Sequence, residues 1–112
     1  MKREVLDFVD DVVSSAQKIE EFIAGMDLSE FRKDEKTAYA VIHALEVLGE
    51  ATTKIPASVR NRHPEIPWQA IAGMRNKLIH EYFGVDMETV WQTATEDVPA
   101  LKKHFENLKK SL

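Results

Sequence analysis

The chain has 112 residues, with 15 Lys and Arg against 19 Asp and Glu and a formal net charge of −4. That length fits one domain, and Leu, Ile, Val and Phe make up over a quarter of it, enough apolar side chain to fold rather than stay disordered. The absence of cysteine excludes a disulfide framework, a thiolate zinc site and a cysteine nucleophile. The longest uninterrupted apolar run, Tyr39–Ile42, is far short of the roughly 20 residues that span a bilayer. Asp7, Asp10 and Asp11 stand where a signal peptide would be apolar, so a soluble, cytoplasmic single domain over 1–112 is expected.

Val5, Val9, Val12, Ala16, Ile19 and Ile23 repeat at four and three, which predicts an amphipathic first helix ended by Gly25. Asp27 and Glu30 have capping-box spacing and open a short turn. A second long helix runs near Asp34 to Lys54, aligning Ala38, Val41, Leu45, Leu48 and Ala51 before Pro56. Three of the four prolines fall in 56–67, a connection with at most one helical turn around 57–62. Trp68, Ile71, Leu78 and Ile79 mark a third helix finishing near His80–Tyr82, with Leu78 and Ile79 anchoring its apolar side. Asp86 caps a fourth, with Val90, Trp91 and Ala94 on one side. Pro99 predicts a kink or break at Asp97–Pro99, beyond which Val98, Leu101, Phe105, Leu108 and Leu112 repeat again. No segment alternates with period two. The expected fold is all-α, four or five helices in an antiparallel up-and-down bundle. Gly49 and Gly73 lie inside helices, where each costs roughly 1 kcal/mol relative to Ala; close approach of the second and third helices is the expected reason. Trp68 and Trp91 are expected in the core.

Charge is segregated along the chain. Residues 51–80 carry Lys54, Arg60, Arg62, Arg75 and Lys77 against the single acid Glu65, and also hold His63 and His80. A local anion-binding face on an otherwise acidic molecule would have this composition. Chance variation between helix faces would give it too.

The stretch from Met74 to Gly84 holds the side chains with chemistry. On a helix Asn76 and His80 are i,i+4 neighbours, and Arg75 and Tyr82 are about two turns apart. RNA phosphodiester cleavage without metal needs a group that moves protons and a fixed cation that steadies the growing phosphate charge. His80 and Arg75 are of those types, and Asn76 is placed to position the phosphate or fix the histidine tautomer. By spacing alone, a helix-end histidine, a surface arginine and a loop-packed tyrosine explain the same residues.

Arg75-Asn76, His80 five after the arginine, and Tyr82 together resemble the signature of HepT-like toxins of the HEPN superfamily. The likeness extends to Ala40–Glu46 with Gly49-Glu50-Ala51, to Ile66-Pro67-Trp68 with Ala72–Asn76, and to Asp86, Val90-Trp91 and Glu96–Lys102. It covers nearly the whole chain. The resemblance implies a HEPN-like helical fold and a homodimer that brings two motifs into one cleft. It implies a metal-independent RNase toxin of a toxin–antitoxin pair, needing no cofactor, with Arg75, Asn76 and His80 catalytic. It also implies an MntA-type nucleotidyltransferase antitoxin that transfers AMP from ATP to the motif tyrosine, Tyr82.

Other residues rank lower. Lys54, Arg60, Arg62 and Lys77 are candidates for RNA contact. His43, Glu46 and Glu50 share one helix face but reverse the Glu-x-x-His order of bundle di-metal sites, so a polar groove wall or salt-bridge network is expected rather than metal. An alternative function is a non-catalytic helical subunit that binds nucleotide or presents substrate to a nucleotidyltransferase, and a third is a plain interaction module.

Overall fold

The computed structural model describes residues 4–80 and 84–112. Helix α1, Val5–Ile23, starts where the Glu4 amide donates to the Asp7 carboxylate at 2.9 Å. It ends at Gly25, whose φ of +78° lies in the left-handed region that a Cβ disfavours. Asp27 and Glu30 then form a reciprocal capping box, with amide-to-carboxylate distances of 2.8 and 3.0 Å, and open α2, Leu28–Lys33. Asp34 caps the long α3, Glu35–Thr53, by accepting from the Thr37 amide at 3.0 Å. The proline-rich connection keeps one helical turn, α4, Ala57–Arg60.

Helix α5 spans Trp68–His80, and Asp86 caps α6, Met87–Gln92. The expected interruption before Pro99 is a single π turn over Thr93–Asp97, which runs directly into α7, Val98–Lys110, with Pro99 in its first turn. Proline has no amide hydrogen and crowds the carbonyl four residues back, so an α-helical register through this point is unfavourable. The wider turn shifts the pairing by one residue: the Val98 amide donates to the Thr93 carbonyl. Thr93 and Thr95 each donate a hydroxyl to a carbonyl one turn back, at 2.9 and 2.8 Å.

The four long rods pack in the order α5, α3, α1, α7, with α2 bridging α3 and α6. Val9, Val12, Ala16 and Ile19 of α1, Val41, Leu45 and Leu48 of α3, and Val98, Leu101, Phe105 and Leu108 of α7 are buried in one core. The all-α bundle expected from periodicity is what the described residues form. Trp68 and Trp91 are half-buried against this core; Trp68 meets Phe105 edge-on at 5.6 Å and Trp91 meets Phe31 at 5.2 Å. Leu112, by contrast, lies beyond the end of α7 and is 51% exposed, so the apolar repeat stops at Leu108.

The loop before α5 is tied to the end of α7 through His63. Its Nδ1 pairs with Glu65 at 3.2 Å, its Nε2 meets the Ser111 hydroxyl at 3.2 Å, and its carbonyl accepts from Trp68 Nε1 at 3.0 Å. These contacts fix where α5 begins.

Candidate active site

The outcome of the two helix glycines differs, and the difference places the site. A Cβ on Gly49 would sit 2.6 Å from Arg75 Cβ, closer than real Cβ atoms approach, and 3.2 Å from its Cγ. Gly49 is therefore where α3 lets α5 come close, and the aliphatic stem of Arg75 lies in the space a side chain would fill. Nothing stands within 4 Å of a Cβ on Gly73, so the expected role in helix contact does not hold there: that position is exposed.

From this seat the Arg75 guanidinium reaches two partners. Nη2 forms an ion pair with Glu50, the residue after Gly49, and Nη1 donates to Asn76 Oδ1 at 3.3 Å. Nε is buried and has no hydrogen-bond partner among the described residues. Glu50 also forms an ion pair with Lys54, one turn further at the end of α3, at 3.6 Å. The result is a row of Lys54, Glu50 and Arg75, two cations around one carboxylate.

The row lines a shallow groove between α3, α5 and α1, about 370 Å³ in volume, together with His43, Glu46, Val47, Ile79 and others. The expectation of a polar groove wall from His43, Glu46 and Glu50 holds. Ile79 was expected to anchor the buried side of α5; instead Leu78 is buried, while Ile79 is 40% exposed on the groove rim. At about 100° per residue, Ile79 falls on the Arg75 side of the helix and Leu78 on the core side. Asn76 turns its carbonyl oxygen to Arg75 rather than to His80. His80 is the last described residue of α5 and is exposed. Tyr82 lies outside the described residues.

The family model for HepT-like ribonucleases matches residues 13–108. The chain belongs to the HepT-like ribonuclease family. Among its relatives, one from Thermococcus cleftensis, described as a probable ribonuclease HepT, is 48% identical over 110 residues that cover 98% of this chain and 100% of the relative. Two from Methanocaldococcus jannaschii, described as candidate RNases, are 48% and 44% identical over 111 residues, covering 99% of this chain and 96% and 92% of theirs. No solved structure matches the chain at a significant level.

In this HepT-like chain the basic residues of 51–80 do not form one face. Lys54 and Arg75 share the groove. Lys77 projects to the other side of α5, where it lines a separate cleft of about 260 Å³ with Asp86, Thr89 and Thr93. Arg60 and Arg62 are exposed around α4, Arg62 donating to the Ser58 carbonyl at 3.3 Å, and neither lines the groove. Helical periodicity scatters residues that are neighbours in a charge count. The groove wall also holds Asp11, Glu46 and Glu50, so its cations are set among carboxylates. What the sequence reading missed is the partner of Arg75: Glu50 stood among polar wall residues, and only the clearance at Gly49 shows which side chain it faces.

Proposed function

We propose that this HepT-like chain is the toxin of a toxin–antitoxin pair, a metal-independent endoribonuclease whose motif is Arg75, Asn76, His80 and Tyr82. The observation that carries the reading is the arginine itself: the groove holds its stem and guanidinium in one place, on the helix that also carries the exposed His80. Arg75 steadies the phosphate, and Asn76 helps to fix the arginine. His80 moves protons as the 2′-hydroxyl attacks the adjacent phosphorus and the bond to the 5′-oxygen breaks. The hydroxyl proton leaves through an imidazole, a proton is returned to the 5′-oxygen, and the products are a 2′,3′-cyclic phosphate and a 5′-hydroxyl.

Arg75 and His80 are five residues apart on α5 and so project about 140° apart around its axis. That divergence favours a cleft shared by two copies of the chain over a site made by one. A metal-free route is favoured by what the motif supplies, a cation in Arg75 and a proton-transfer group in His80, while Glu50 is already committed to two cations. A nucleotidyltransferase antitoxin that places AMP on Tyr82 would add phosphate charge and a base close in sequence to His80, competing with RNA for Arg75.

The test is incubation of the purified protein with RNA in excess EDTA. Cleavage that leaves cyclic phosphate ends supports the reading. An absolute Mg²⁺ requirement contradicts the mechanism, and no cleavage under any condition would favour the non-catalytic subunit that presents substrate to a nucleotidyltransferase.

A further inference from the structure

Arginine is a flexible side chain, and holding its guanidinium in one plane requires partners. An exposed arginine samples many rotamers, and losing that freedom when substrate arrives weakens the contact. Arg75 is different. Its side chain is only 27% exposed, its stem fills the space over Gly49, and its Nε faces the interior. The remaining freedom is rotation of the terminal fork, and Glu50 and Asn76 grip that fork from two sides.

We infer that Glu50 is the positioning residue for Arg75, holding the guanidinium plane so that its two free hydrogens face a phosphate. The inference rests on the reading of Arg75 as the phosphate-binding cation. A guanidinium has five N–H donors. Glu50 pairs with Nη2, Asn76 accepts from Nη1, and Nε is buried. Each terminal nitrogen carries two hydrogens, so each can still offer one, and a phosphate can accept from both nitrogens of the fork.

The opposite reading of the same contact is a latch, in which Glu50 neutralises Arg75 and RNA must pull it away. Two features favour positioning. Lys54 shares the Glu50 carboxylate, so that charge is not spent on Arg75 alone. The stem over Gly49 and the inward Nε also leave the arginine little room to swing to a second position. Glu50 touches no reacting atom in this account; it acts through Arg75.

The two readings predict opposite signs. Single-turnover cleavage of a short RNA is measured at saturating protein for the wild type, Glu50→Ala, Glu50→Gln and Arg75→Lys, with thermal melts of each. Positioning predicts that Glu50→Ala slows the cleavage step by about tenfold to a hundredfold while half-saturation changes little. Glu50→Gln, whose side-chain carbonyl can still accept from Nη2, recovers part of the loss. Since lysine has no fork to orient, Glu50→Ala should cost little further activity in the Arg75→Lys background. A merely structural Glu50 would lower melting and lose activity equally in both backgrounds. The inference is overturned by cleavage in Glu50→Ala as fast as wild type or faster, or by an undiminished loss in the Arg75→Lys background. If Arg75→Ala itself cleaves normally, the reading of Arg75 fails, and the inference fails with it for that separate reason.

Discussion

Arg75 packs its Cβ and Cγ onto the backbone of α3 at Gly49, where an added methyl group would lie 2.6 Å from Arg75 Cβ. This one contact brings α5 against α3, fixes the arginine stem, and puts the guanidinium beside Glu50. Packing and chemistry therefore depend on the same missing side chain.

The two helix glycines should respond oppositely to alanine. At Gly49 the gain in helix propensity, about 1 kcal/mol, is set against overpacking of about 1–3 kcal/mol, and the clash falls on Arg75 itself. Gly49→Ala should lose cleavage activity and melt no higher than wild type. Gly73→Ala meets nothing within 4 Å and should raise the melting temperature. Thermal melts and RNA cleavage of the two variants check this; a more stable, fully active Gly49→Ala would show that the clearance is not needed.

Asp34 and Asp86 carry the acid sensitivity of two helix starts. The Thr37 amide and hydroxyl hold the Asp34 carboxyl below the usual aspartate range, and the Thr89 hydroxyl, with the Glu88 amide, does the same for Asp86. A carboxyl whose folded pKa is depressed contributes stability that is present above its unfolded pKa and is lost as pH falls through the folded one. Melting temperature should therefore fall as pH drops below about 4. The double variant Asp34→Asn, Asp86→Asn keeps a capping oxygen but no titrating group, so its decline over that range should be shallower. Parallel curves for the two proteins would contradict the assignment.

Most of the helical order was legible in the residues, because capping and periodicity act locally. Asp27 with Glu30, Asp34 and Asp86 each opens a helix at the predicted place, and Gly25 turns the chain with a positive φ. The interruption at Pro99 was visible, but its form was not: a proline says that the α register cannot continue smoothly, and whether the chain breaks, kinks or inserts a π turn depends on tertiary packing. Relationships between distant segments were hidden for the same reason. Nothing in the order of residues says that Glu50 faces Arg75, or that His63 meets Ser111. The motif residues stood out by type and spacing, while Ile79, counted as an anchor by its apolar character, took the groove rim because the neighbouring Leu78 already holds the core position.

Tyr82 is the expected AMP acceptor, so Tyr82→Phe should keep the fold and resist modification. Incubating each protein with a nucleotidyltransferase antitoxin and ATP, then measuring intact mass, tests this directly. One or more AMP additions are expected on the wild type only. Equal addition to the phenylalanine variant would move the acceptor elsewhere.

The central claim is that Arg75 and His80 cleave RNA and do not merely shape the helix. Cleavage of a labelled RNA in EDTA by wild type, Arg75→Ala and His80→Ala, each with its thermal melt, tests it most directly. The account predicts a loss of about 10²–10⁴-fold in each variant, with melting temperatures within a few degrees of wild type. Wild-type cleavage rates in either variant, or a loss that follows unfolding, would contradict it.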